Sequence, residues 1–160
     1  MPLMVMRLNS SNGHLGEATY NTDRFVLTTN RNGGDGVIKT GEIAYVLGLD
    51  WFGIQDSLVS FQVFQSWLLN PANGIVREAL DTTTTLLLRR HFWNETLEAE
   101  MLWLHNVNFC DGLIRPKVSY ELRDNMKIWT GFDLFYGDHN GLFGQFDRND
   151  RLVIGMEIGL

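Results

Sequence analysis

The chain of 160 residues holds a single cysteine, Cys110. It can therefore form no internal disulfide, and no second thiol gives it metal-ligand spacing. Cys110 reads as an incidental loop thiol. Base is scarce as well: 13 Lys and Arg against 19 Asp and Glu leave a formal net charge of −6, whereas a general nucleic-acid binder would carry a basic field. No nucleic-acid partner is expected. No run approaches the roughly 18 uninterrupted apolar residues of a membrane-spanning helix, and Met1 to Asn12 lacks the charged head, long apolar middle and small-residue cleavage site of a secretory signal. These absences leave a barrel open, because each of its strands needs only about 9 to 11 residues with one greasy face. A Gly-x-Ser-x-Gly elbow, a His-Glu-x-x-His pair and a phosphate loop are all missing. The chain is accordingly expected not to be an enzyme, with no catalytic residue, metal site or cofactor.

What is present is 44% hydrophobic and 12% aromatic residues, too apolar for disorder and sized for one domain over residues 1–160. The apolar residues recur every second position, the mark of strands with two unlike faces. Ile43, Tyr45, Leu47, Leu49 and Trp51 oppose Thr40, Glu42, Ala44, Gly48 and Asp50. Val59, Phe61, Val63 and Trp67 oppose Ser60, Gln62 and Ser66, and the turn-rich Asn70-Pro71-Ala72-Asn73-Gly74 follows. The same alternation runs through Thr83–Trp93, Leu97–Trp103, Ile114–Leu122, Met126–Leu134 and Leu152–Leu160. Residues 1–36 are less legible: Leu3–Leu8 reads as a strand remnant, and Asn9–Gly36, with Asn30-Arg31-Asn32-Gly33-Gly34-Asp35-Gly36, as a long loop holding a hairpin around Phe25–Thr29. The expected fold is all-β: an antiparallel up-and-down transmembrane β-barrel of about eight strands, or the C-terminal segment of a larger one.

A soluble lipid-carrier barrel would show the same period with its apolar face turned inward. Three features favour the opposite orientation. Reversals at 53–57, 94–95 and 123–125 are short, while those at 9–36, 70–82, 106–112 and 137–149 are longer, as when one rim faces a periplasm and the other the outside. Trp51, Phe92 and Tyr120 lie beside short turns and Trp67, Trp103 and Tyr136 near longer loops, which suits two membrane-interface belts. The polar face mixes small residues with charges of both signs, as a lumen does. Arg90 alone falls in phase with the apolar face, beside a turn where it can snorkel to headgroups.

The candidate lumen residues are Arg89, Arg115, Lys117, Lys127 and Arg151 against Glu98, Glu100, Asp133 and Glu157, either a selective transverse field or a mutually satisfied network. Phe64, Leu102, Leu104 and Phe135 fall on the same side near the long-loop end, as an amphiphile-binding patch or as greasy filler. His91 could work with Glu98 or Glu100 as base and orienter, although a lone lumen histidine more often belongs to a polar network. Asp138, Asp147, Asn149 and Asp150 lack the glycine and distal glutamate of a calcium loop and read as solvated turn residues.

The run Arg115-Pro116-Lys117-Val118-Ser119-Tyr120, then Asp124-Asn125, Gly131-Phe132-Asp133-Leu134-Phe135 and Gly141-Leu142-Phe143-Gly144-Gln145-Phe146-Asp147-Arg148-Asn149-Asp150-Arg151, resembles the end of a Gram-negative outer-membrane barrel family catalogued as domain of unknown function thirteen-oh-two. Ser60-Phe61-Gln62-Val63-Phe64-Gln65-Ser66-Trp67 is similar to a penultimate region of that family, so the likeness spans roughly Gly41 to Leu160. The resemblance implies an outer-membrane location, the lipid bilayer and the barrel-assembly machinery as partners, and a link with trafficking of hydrophobic molecules. Leu160 stands where the family has an aromatic last residue, and members are longer chains with a signal peptide. The sequence is thus expected to be the C-terminal part of a longer barrel that passes or handles a small hydrophobic or amphipathic solute. A soluble ligand-binding barrel and a barrel-embedded lipid hydrolase are the alternatives.

Overall fold

The computed structural model describes residues 3–9, 14–27, 36–69 and 78–159. Within them lie nine strands: β1 (Leu3–Asn9), β2 (His14–Leu27), β3 (Val37–Trp51), β4 (Ser57–Leu69), β5 (Leu80–Phe92), β6 (Leu97–Asn106), β7 (Asp111–Arg123), β8 (Met126–Tyr136) and β9 (Arg151–Ile158). A 3-10 turn at Gly144–Phe146 is the one helical element among the described residues. The strands form one sheet in chain order, β1 to β9. Each pair whose register is defined runs antiparallel. The all-β, up-and-down arrangement is the expected one.

Two expectations are overturned. The reversal expected to be one of the longer ones at 106–112 is a turn over 107–110, no longer than that over 93–96, because β6 runs on to Asn106 and β7 begins at Asp111. His14–Leu27 is not part of a long loop but a strand of 14 residues, paired in register with β1 from Leu3 opposite Asn21 to Asn9 opposite Leu15. Its sequence carries Gly16, Glu17, Asn21, Thr22, Asp23 and Arg24, so no clean alternation marks it. The main-chain ladder with β1 supplies what the side chains do not advertise. The glycine-rich run up to Asp35, the Thr28–Thr29 end of the expected hairpin, the turn at 70–74 and Leu160 lie outside the described residues.

The contacts divide the chain into two compact units, residues 1–48 with 63–83 and residues 49–62 with 84–160. In the first, Ile43, Tyr45, Leu47 and Trp67 are exposed while Thr40, Ala44, Ser66 and Leu68 are buried. Its enclosed polar groups are paired. Thr40 Oγ1 donates to the Leu69 carbonyl, Ser66 Oγ donates to Glu42, and Arg24 Nε lies 3.5 Å from the same carboxylate.

In the second unit the alternation is sharpest along β8, where Ile128, Phe132 and Leu134 are exposed and Gly131 and Asp133 buried. Phe61, Met101, Val118, Ile154 and Met156 are exposed with them. Ile154 is 73% exposed and Phe132 49%, whereas Asp133 and Ser119 are each 1% exposed. The apolar side is thus widely exposed, whereas on the other side Asp133 and Ser119 are enclosed and the Arg115 and Arg151 side chains reach solvent at 40% and 61% exposure. Sharp reversals set the short ends. Trp93, Asn94 and Glu95 take positive φ at 53°, 54° and 70° between β5 and β6, and Asn125 takes 66° between β7 and β8. A register shift between Glu121 and Arg123 closes the latter hairpin.

Candidate functional site

Antiparallel pairing in the second unit decides which polar residues become neighbours. Along one row Glu100 lies opposite Lys117, Lys117 opposite Gly131 and Gly131 opposite Val153. The next row runs Glu98, Ser119, Trp129, Gly155, and another places Asp133 opposite Arg151. A period of two keeps all of these on one face.

Their side chains then join into three groups. Arg89 donates from Nε and Nη2 to Glu100 Oε2 at 2.9 and 2.6 Å. His91 Nε2 lies 3.0 Å from Glu98 Oε2, and Lys127 Nζ 3.6 Å from Glu98 Oε1. Asp133, with its side chain 2% exposed, accepts from Arg115 Nε at 2.5 Å and Arg151 Nε at 2.7 Å, one guanidinium on each oxygen. Charge-assisted bonds of this kind are the strong members of the hydrogen-bond class. The candidate charges are thus largely brought together. Glu157 lies opposite Lys127 in register but is exposed, since β9 has β8 as its one neighbour in the strand order.

Lys117 is placed differently. Its Nζ lies 5.0 Å from the centroid of the Trp129 ring, a cation–π distance. Trp129 was not among the expected site residues, although its place two positions from both Lys127 and Gly131 puts it on the polar face. Gly155 lets it lie there: a Cβ at that position would fall 2.3 Å from the indole. Lys117, Trp129, Arg115, Arg151, Asp133 and Glu100 line a pocket of about 330 Å³.

At the long-loop end a second unexpected residue organises the segment after β8. Asp111 is completely buried, and its Oδ2 accepts from the Phe143 and Gly144 amides at 2.6 and 3.0 Å. The chain must pass close to that carboxylate, and at Gly141 an added Cβ would sit 2.3 Å from it. Phe146 is thereby laid against Phe135 at 5.7 Å between centroids, and Asp150 Oδ1 accepts from the Phe135 amide at 2.9 Å. Phe135 is therefore covered by its own loop, while Leu102 lines the ionic pocket and Phe64, in the first unit, is exposed. Asp138 accepts from the Asn140 amide within its turn and Asp150 from β8, and among the described residues no His, Cys, Asp and Glu cluster could hold a metal.

Three of the aromatics near strand ends, Trp103, Tyr136 and Phe92, have partners. Trp103 Nε1 donates to the Tyr136 hydroxyl at 2.6 Å, and His105 Nδ1 lies 3.0 Å from it, with the three rings stacked in sequence. Trp51, Phe92, Tyr120 and Trp67 are exposed. Arg90 lies over the Phe92 ring at 5.1 Å, its charge carried at the turn. Ser119, opposite Glu98, has its hydroxyl buried without a hydrogen bond, so it gives the His91–Glu98 pair no bonded nucleophile.

Neither a family model, nor a curated protein, nor a solved structure matches the chain.

Proposed function

We propose that the chain is an outer-membrane β-barrel, or the C-terminal part of one, that passes or handles a small hydrophobic or amphipathic solute and performs no covalent chemistry. One observation carries this reading: Leu47, Phe61, Met101 and Ile154 are exposed, while Asp133 and Ser119 are buried. An apolar face of that extent marks contact with lipid or with another protein surface. Lipid fits better than protein because from β3 to β9 the apolar positions continue strand after strand at the same period, which is what a hydrocarbon surround demands of each strand in turn. Strands are the means of crossing to consider, since no helix among the described residues is long and apolar enough to cross a membrane. The strand-end aromatics, with Trp103 and Tyr136 bonded through their polar atoms, suit the water–lipid interface. On this reading the partners are the bilayer and the barrel-assembly machinery, and the ionic face is the surface the solute meets.

The test is phase partition of the refolded chain. Recovery in the detergent-rich phase is expected, and recovery as a stable monomer in the aqueous phase overturns the proposal in favour of a soluble ligand-binding sheet.

A further inference from the structure

The pocket between β6, β7, β8 and β9 is not electrically balanced. Three cations line it, Arg115, Lys117 and Arg151, against two carboxylates, Asp133 and Glu100. Glu100 is already held by two donors of Arg89, a residue outside the lining. Asp133 offers its two oxygens to the Nε groups of Arg115 and Arg151. Each guanidinium has five N–H donors and spends one of them there, so its Nη groups keep their hydrogens for another acceptor. Lys117 faces an indole instead of a carboxylate. One buried anion thus anchors two arginines and leaves positive charge over, in a chain whose net charge is −6.

We propose that this pocket binds a small organic anion, a carboxylate or sulfonate on an aromatic or apolar body. The head would take the unspent Nη donors of Arg115 and Arg151 together with Lys117 Nζ, and the body would lie against Trp129, Leu102 and Val153, which share the lining. Forked guanidinium donors match the two oxygens of a carboxylate, and an indole face next to an ammonium accepts a flat ring. A cationic pocket whose counter-charges are already committed gains by taking a further anion, whereas a self-satisfied network would not.

This inference names the solute class for the passage proposed above, and its biological use rests on that reading. The pocket's chemistry can be tested apart from it. Benzoate, benzamide and benzylammonium are titrated by calorimetry into the detergent-refolded chain, into Lys117→Gln and into Arg151→Gln, with far-UV circular dichroism verifying the strands of each. Benzoate should bind at least about tenfold more tightly than benzamide, benzylammonium should not bind, and each variant should weaken benzoate by roughly tenfold while leaving benzamide unchanged, as expected for a charge-assisted contact. Equal binding of the three probes, or benzoate binding that both folded variants preserve, overturns the anion site. Benzoate selectivity in a chain that partitions into water would uphold the site and overturn the membrane reading, so the two failures are separable.

Discussion

At the scale of single residues, the structure places most weight on two side chains that the alternation alone does not rank, Asp133 and Trp129. Asp133 binds two guanidiniums while almost wholly enclosed. Asp133→Asn keeps its shape but halves its acceptors and leaves both arginines uncompensated. Charged hydrogen bonds contribute about 1.5–3 kcal/mol each, and Arg115 and Arg151 are exposed enough for water to recover part of that, so a loss of about 2 kcal/mol is expected in equilibrium urea unfolding. Trp129 depends on the missing side chain at Gly155, where a Cβ would approach the indole to 2.3 Å. Gly155→Val should cost about 1–3 kcal/mol by overpacking, and Trp129→Ala in the same chain should relieve most of it, as a double-mutant cycle would record. Additive costs in that cycle would mean that the glycine serves another purpose.

At the scale of elements, what was legible followed from how unlike the two sides of a strand are. The stretches Lys39–Trp51, Leu58–Leu69 and Met126–Leu134 could be read because apolar and polar residues mostly alternate, despite Val46, Gln65 and Trp129, and they became β3, β4 and β8 to within two residues at each end. Strand β2 could not, since Glu17, Asn21, Asp23 and Arg24 fall on both sides of it. The charged residues of the candidate site were legible as a face, but not as pairs: that Asp133 meets Arg115 and Arg151 depends on register, which no local pattern encodes. Trp129 was left unassigned because a tryptophan is expected with the apolar set, and a glycine on the neighbouring strand had to be recognised as the space for it. Asp111 was hidden for a different reason. Its partners Phe143 and Gly144 lie more than 30 positions onward, and a carboxylate beside a loop looks solvated until that loop folds over it. Asp111→Ala removes the acceptor for both amides, so the Gly137–Asn149 segment should lose its hydrogen-exchange protection while the β6–β7 ladder retains its own. Uniform loss across β6, β7 and β8 would show instead that Asp111 supports the sheet.

At the scale of the whole molecule, one question dominates, namely the solvent that the apolar face meets, and substitution with arginine can ask it directly. Met101 on β6, Phe132 on β8 and Ile154 on β9 are all exposed. If that exposure were to water, an arginine at any of them would be an ordinary surface change, within about 0.5 kcal/mol of neutral. In a bilayer the same change costs about 2–4 kcal/mol near the midplane and falls toward zero at the interfaces. The three positions should therefore respond strongly in lipid, whereas Phe92→Arg, beside a turn where Arg90 already carries a charge, should respond weakly. Folding free energies measured in vesicles would give a depth profile, largest for arginine at the mid-strand sites and least at Phe92. A flat profile near zero at all four sites would mean that the oily face meets water or another protein, and the transmembrane reading would fall with it.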